Sequence, residues 1–169
     1  LYGPIHPSFY FVSISEKNIQ KQRGTITSSS GNILHTINNM PAMDYLESIG
    51  VNRNDYAIVG SVPVMLDYKD GTKPVGRGYY QILDDGSIAC GGEMPVDATI
   101  SLAVLDYDDV MHAASDLVDT IFSAGPPKGM LLHSCITRSL VLGPEPLAEA
   151  ERILDAVNGR GTYHLSYSG

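Results

Sequence analysis

Residues Gly129–Arg138 read GMLLHSCITR and organise the last third of the chain. Their apolar part predicts a buried strand over Met130–Ile136, and a buried strand needs a sizeable core around it. The segment ends in small polar side chains and one cation, Arg138. A fixed guanidinium at the exit of a strand, where a loop and a helix begin, suits the binding of a small anion or carboxylate.

Helical patterns lie on both sides of this strand. Apolar residues recur at helical spacing from Tyr107 to Phe122, and Asp106 is placed to cap the helix. A second helix is predicted over Pro144–Val157, and a last strand over Thr162–Tyr167. Because two strands joined by a crossing helix are parallel, we expect the two strands of this segment to run in the same direction.

The chain before these helices is rich in short strands and turns. Gly24–Ser28 and Ile33–Ile37 flank the turn-forming sequence SSGN, which predicts a hairpin. A short helix is predicted over Pro41–Ile49, with Asn39 as its cap and Gly50 at its end. The remaining strands are predicted over Phe9–Ile14, Ala57–Gly60, Val62–Leu66, Tyr79–Leu83, Ser87–Cys90 and Thr99–Val104.

These patterns together predict a single α+β domain over residues 1–169. Strands that lie close together in sequence favour antiparallel pairing, whereas the C-terminal pair is expected to be parallel. The expected fold is therefore a mixed, mainly antiparallel β-sheet with helices packed on one face.

The composition excludes several classes of protein. The chain is 43% hydrophobic and 18% charged, which is typical of a globular protein rather than a disordered one. Its 11 basic and 19 acidic residues give a formal net charge of −8. Nucleic acid is therefore not an expected partner, because phosphate binding needs a basic face. The sequence has no apolar run long enough to span a membrane.

The cysteines and histidines predict neither a disulfide nor a metal site. Cys90 and Cys135 lie far apart in apolar, strand-like segments, which favours two reduced thiols in a cytoplasmic protein. The five histidines are scattered without HxH or HExxH spacing, so we expect no metal and no other cofactor. His133 and Cys135 are two residues apart on the predicted strand, which raises the hypothesis of a cysteine nucleophile. Side chains at this spacing point in parallel and do not aim at each other.

The candidate ligand-binding residues are Arg138, Ser134, Cys135, Arg77 and Tyr79. Arg138 can clamp a carboxylate with two parallel N–H bonds, and the alternative is a structural arginine tied to carbonyl groups or to Glu149. Arg77 is a similar candidate, whose alternative role is a charge that keeps a sheet edge from pairing. Tyr79 and Tyr80 point to opposite faces of a strand, so only one of them can line a given surface.

Three segments, taken in order, resemble a known family. They are Gly31–Ile37 with Pro41-Ala42, Asp84–Ile88 with Gly91–Pro95, and Leu131–Arg138 with Glu149–Glu151 and Tyr163–Gly169. Over residues 20–169 the chain resembles the C-terminal half of the FIST domain, a sensory domain of bacterial and other signal-transduction proteins.

The resemblance implies a cytoplasmic, non-enzymatic input module that binds small ligands, with amino acids as one class. Such modules are joined to chemotaxis receptors, histidine kinases or cyclic-dinucleotide enzymes, so the implied partners are a small-molecule ligand and a signalling output domain or receptor. The chain lacks the N-terminal half of the family's domain. We therefore expect it to be part of a longer protein, with that half as a further partner. The resemblance assigns no binding residues.

Three hypotheses about function follow. The first is a ligand-sensing module that binds a small polar metabolite near Arg138. The second is a protein-interaction domain that relays signals through an exposed sheet edge or helix face, and a homodimer is one form of it. The third is a cysteine-dependent enzyme that uses Cys135.

Overall fold

The computed structural model of the chain describes residues 6–12, 14–54 and 62–160, together with the backbone of residues 164–168. Within these residues it contains an antiparallel sheet, a separate pair of parallel strands and four α-helices. The predicted α+β class with a mainly antiparallel sheet is therefore confirmed. The predicted strand over Ala57–Gly60 lies outside the described residues.

The antiparallel sheet is built from eight short strands. They are β1 (Gly24–Ser30), β2 (Ile33–Ile37), β3 (Met40–Pro41), β4 (Val64–Asp67), β5 (Val75–Arg77), β6 (Tyr79–Ile82), β7 (Ile88–Cys90) and β8 (Thr99–Leu102). The predicted hairpin is confirmed, because β1 and β2 pair in antiparallel fashion across a turn at Gly31, whose φ of 58° favours glycine. The first helix, α1 (Ala42–Ser48), follows β3 and packs against β2.

The strand order makes this sheet a nearly closed barrel. Neighbouring strands follow the order β5-β4-β8-β1-β2-β7-β6, and β3 pairs with β2 beside this path. The two end strands, β5 and β6, are separated in sequence by Gly78 alone. One bent stretch of chain therefore pairs with β4 before Gly78 and with β7 after it, which brings the two edges of the sheet together.

Apolar side chains from the barrel strands and from α1 form one hydrophobic cluster. Ile26 and Ile100 come from adjacent strands and are almost completely buried, and α1 adds Met43 and Leu46 to the same cluster. The buried residues alternate along β1, as expected for a strand with one face toward a core. Burial of this apolar surface is the main stabilising contribution to the barrel.

A helical part follows the barrel in sequence. It consists of α2 (Tyr107–Ser123), β9 (Gly129–His133), α3 (Ile136–Leu142), α4 (Ala148–Val157) and β10 (His164–Ser168). The predicted cap of α2 is confirmed: Asp106 accepts a hydrogen bond from the N–H of Asp109 at 2.8 Å, and Asp109 accepts one from the N–H of Asp106 at 3.2 Å. β9 and β10 pair in parallel, as the sequence predicts.

A second hydrophobic cluster holds the helical part together. Its buried members are Ala114 and Val118 from α2, Leu132 from β9, and Ile153 and Val157 from α4. Within each helix the two residues are four positions apart, so they lie on one face. Arg160 adds a cation–π contact, with its guanidinium carbon 5.3 Å from the centre of the Phe122 ring.

Two predictions for the first third of the chain are wrong. Residues 9–12 form no strand, and the side chains of Phe9 and Phe11 are 79% and 87% exposed. Without a neighbouring strand to pair with, their β-propensity alone does not form a sheet. The residue that caps α1 is Pro41 rather than Asn39, because Asn39 adopts a left-handed conformation with φ of 62° in the turn before β3.

The predicted strand over Met130–Ile136 is too long at its C-terminal end. β9 ends at His133, Cys135 is the N-cap residue of α3, and α3 contains Arg138. The physical reason is the side chain of Glu149. It accepts hydrogen bonds from Ser134 and Arg138 and thereby stabilises a helix directly after the strand. The parallel pair also forms its own sheet rather than joining the antiparallel one.

Substitution of Gly24 tests the packing inside the barrel. A Cβ atom at this position would lie 2.5 Å from Cγ2 of Ile37 and 2.8 Å from Cζ of Tyr45, closer than carbon atoms pack. We expect Gly24→Ala to lower the free energy of unfolding by about 1–3 kcal/mol, measured by urea denaturation. Gly78→Ala is the matched control, because its Cβ would meet Cγ2 of Thr137 at an ordinary 3.6 Å. Equal stability of the two variants would contradict this account of the core.

Candidate functional site

A cleft of about 370 Å³ lies between α2 and residues 10–12 and 14–20, which precede the barrel and are called here the preceding segment. We call it the α2 cleft. Its lining includes Tyr10, Phe11 and Ile14 from the preceding segment, His112, Ala113 and Asp116 from α2, and Arg138 from α3. A neighbouring hollow of about 350 Å³ shares Lys17, Asn18 and Asp109 with it. The cleft therefore brings together apolar, cationic and anionic side chains.

The amphipathic pattern of α2 positions one wall of the cleft. Val110, Ala114 and Val118 are buried, whereas His112 and Asp116 are exposed and line the cleft. Residues that recur every three to four positions share a face of a helix. The apolar pattern that predicted the helix thus also determines which polar residues it presents to the cleft.

Backbone pairing holds the preceding segment in place. Ile19 forms an isolated antiparallel bridge with Ala103, directly after β8. The N–H of Gln20 donates to the carbonyl of Leu102 at 2.7 Å, and the N–H of Val104 donates to the carbonyl of Asn18 at 3.0 Å. The segment is therefore fixed to the connection between the barrel and α2.

Asn18 supplies an unpartnered acceptor at this place. Its Nδ2 donates to the carbonyl of Val104 at 2.9 Å and to Oδ2 of Asp109 at 2.5 Å. Both partners are acceptors, so the orientation of the amide is determined and Oδ1 must face elsewhere. Oδ1 is buried and has no hydrogen-bond partner among the residues that the structure describes. A ligand with an N–H or O–H group would satisfy it.

Asp109 places a negative charge beside Asn18. Burial acts to raise the pKa of Asp109, but hydrogen bonds from the backbone of Asp106 and from Lys17 and Asn18 outweigh burial and hold that pKa below its usual value. The ammonium group of Lys17 lies 3.1 Å from Oδ1 of Asp109. Asp109 is therefore ionised at neutral pH, with a cation and an amide close to it.

Arg138 is held by a buried carboxylate. Its Nε donates to Oε1 of Glu149 at 2.7 Å, and its Nη2 contacts the same oxygen and donates to the carbonyl of Val110 at 3.2 Å. Ser134 donates from Oγ to the other carboxylate oxygen of Glu149 at 2.5 Å. Glu149 is only 5% exposed. Arg138 is therefore a structural arginine tied to a carbonyl group and to Glu149, the alternative to a ligand-binding role. Its Nη1 forms no hydrogen bond with any described residue.

The structure brings together only some of the predicted site residues. Arg138 and Ser134 meet at Glu149, and Arg138 also lines the α2 cleft. Arg77 and Tyr79 lie instead on the bent stretch of the barrel around Gly78. Whether any of the five residues binds a ligand stays a prediction.

No sequence pattern marks the cleft residues Asn18 and Asp109 as a site. In the sequence, Asp109 is recognisable only as an acidic residue in the first turn of α2, and Asn18 belongs to no recognised motif. Their contact spans 91 positions of sequence, so it depends on the way in which the chain folds back on itself.

Cys135 and His133 do not form the pair that a cysteine nucleophile needs. His133 is the last residue of β9, whereas Cys135 begins α3, so they no longer share a strand. Cys135 is an exposed residue, and its Sγ atom lies 3.1 Å from Oγ1 of Thr137. Among the described residues, no hydrogen bond joins Cys135 to His133.

The described part of the chain shows no group of three or more His, Cys, Asp or Glu side chains arranged to hold a metal ion. In the same residues, no helix combines the length and the apolar character that a membrane crossing requires.

Removal of the Arg138 charge tests its role in the fold. We expect Arg138→Met to lower the free energy of unfolding by about 3–5 kcal/mol, because the buried carboxylate of Glu149 loses its cation. Adding Glu149→Gln should recover part of this loss, since the neutral amide still accepts from Ser134 and no charge remains stranded. Urea denaturation of both variants measures the difference. A double variant less stable than the single one would refute this assignment.

Comparison with known proteins places the chain in a family. No curated protein and no solved structure matches it significantly. A family model does match: the FIST C domain, over residues 35–163, which is more than half of the chain. The FIST C domain is associated with sensory domains of signal-transduction proteins and is not a known enzyme family. The match confirms the resemblance seen in the sequence, and this chain belongs to the FIST C domain family.

Proposed function

We propose that this chain is the ligand-sensing module of a cytoplasmic signal-transduction protein and that a small polar metabolite binds in the α2 cleft. The family match supports the sensory role. The observation that carries the proposed site is the unpartnered, buried Oδ1 of Asn18 in a cleft lined by charges of both signs. A signalling output domain or receptor is the proposed partner that receives the signal.

The chemistry of the cleft suits a ligand with both an ammonium and a carboxylate group, as in amino acids. Asn18 Oδ1 accepts a hydrogen bond, and Asp109 and Asp116 provide negative charge for an ammonium group. Lys17 and the free Nη1 of Arg138 provide donors for a carboxylate.

The apolar wall of the cleft suggests how binding is converted into a signal. Phe11 is 87% exposed although it lines the cleft. A ligand that fills the space beneath it would bury part of this ring and hold the preceding segment against α2. The other end of that segment pairs with the connection between the barrel and the helical part. A change in the position of the segment on binding would therefore be felt by both parts. The proposal therefore makes the segment the element that responds to ligand.

The proposal gives the chain no catalytic role. The exposed Cys135 contacts Thr137 rather than a base, which supports a binding function over nucleophilic catalysis. Asp109 forms a hydrogen bond with Asn18 and an ion pair with Lys17, and these contacts fix the positions of the polar groups for ligand recognition.

A thermal-shift screen against amino acids and small organic acids tests the proposal. A ligand that binds only the folded chain, present at a hundred times its dissociation constant, adds about 2.7 kcal/mol to the free energy of unfolding. We expect Ala113→Leu, which fills the cleft, to abolish the shift. Ala124→Leu makes the same chemical change at an exposed position outside the cleft and should keep it. The proposal fails if no compound shifts the wild-type chain or if both variants respond equally.

A further inference from the structure

Arg77 is half-buried and has no acidic partner among the described residues. Its Nη2 donates to the hydroxyl oxygen of Tyr68 at 3.0 Å, but its Nε is buried and has no hydrogen-bond partner in the part of the chain that the structure describes. None of the ion pairs between described residues includes Arg77, in contrast to Arg138, whose guanidinium is paired with Glu149. A buried cationic donor that lacks both a hydrogen bond and a counter-charge is unfavourable, and a bound anion would supply both.

The backbone beside Arg77 has no side chain. A Cβ atom at Gly92 would lie 2.8 Å from Nε of Arg77 and 3.2 Å from its Cδ and Cζ, so only glycine fits here without displacing the guanidinium. The preceding residue, Gly91, donates its N–H to the carbonyl of Gly78 at 2.8 Å. Gly91 is exposed and Gly92 is half-buried. The absence of a side chain at Gly92 is what allows its backbone to approach the guanidinium so closely.

Two titratable groups close to Arg77, Cys90 and Tyr79, provide no negative charge at neutral pH. Burial raises the pKa of Cys90 to about 11, although nearby Arg77 acts to lower it. Burial, and then the neighbouring Cys90, raises the pKa of Tyr79 to about 12. Both groups are therefore neutral. Tyr79 is also 3% exposed, and its hydroxyl is a second buried polar group that lacks a hydrogen-bond partner within the described ranges.

The hydroxyl of Tyr68 completes the set of donors. Its oxygen accepts from Arg77, so its own proton remains available to a further acceptor. A guanidinium N–H and a phenolic O–H that are held together by a hydrogen bond match two oxygens of one oxyanion. These two donors would not stabilise a bound cation or an apolar ligand.

We propose that Arg77 and Tyr68, beside Gly92, form a binding site for a small oxyanion, the carboxylate or phosphate group of a ligand. This site is separate from the α2 cleft and does not depend on the function proposed for it. It lies next to the element that carries Arg138, because Gly78, which follows Arg77, approaches Thr137 of α3.

Nuclear magnetic resonance of the whole chain provides a direct test, with inorganic phosphate and acetate as probes at constant ionic strength. Saturable movement of the Arg77 Nε–Hε signal is expected with at least one probe, and the probe that binds more tightly identifies the class of oxyanion. If neither probe moves this signal in a saturable way, the proposal is wrong. This measurement needs no variant, so it is independent of any effect on folding.

Variants then locate the site. We expect Gly92→Ala, which places a methyl group against Nε, and Arg77→Gln to weaken binding of the effective probe by about tenfold or more. Gly91→Ala is the matched control, because its Cβ would meet only the carbonyl oxygen of Gly78 at 3.5 Å, and it should bind like the wild type. Ala113→Leu should also keep oxyanion binding, which separates this site from the α2 cleft. Equal binding by Gly92→Ala and Gly91→Ala would overturn the proposal.

Discussion

The buried carboxylate of Glu149 is the interaction on which the helical part of the molecule depends. It receives hydrogen bonds from Ser134 after β9 and from Arg138 on α3, and Arg138 in turn donates to the carbonyl of Val110 on α2. One side chain of α4 therefore connects every helix of this part. A charge so deeply buried is stable only when it is paired, so the three elements must keep their positions together.

A second structural link lies at Gly78, in the barrel. It joins β5 to β6 at the bend where the two edges of the sheet meet, and its carbonyl accepts the N–H of Gly91. It also brings the barrel next to Thr137, the neighbour of Arg138 in sequence. The closure of the barrel and the position of α3 are thus linked at one place, although each part has its own hydrophobic cluster.

The two arginines show how similar residues serve different purposes. Both were candidates for binding an anion, and each is partly buried. Arg138 forms an ion pair with Glu149 and lines the α2 cleft, whereas among the described residues the hydroxyl of Tyr68 is the one hydrogen-bond partner of the Arg77 side chain. The difference lies in the neighbours that each fold element supplies.

The amino-acid sequence determined the features that depend on neighbours along the chain. The cap of α2 at Asp106, the hairpin turn at Gly31 and the parallel pairing of β9 with β10 follow from local spacing, turn chemistry and the handedness of crossover connections. Only the tertiary structure decided that Asn18 meets Asp109 and that the parallel pair stands apart from the antiparallel sheet. These contacts join residues far apart in sequence, and they form only when closure of the barrel and docking of the helices bring their partners together, which no local pattern encodes.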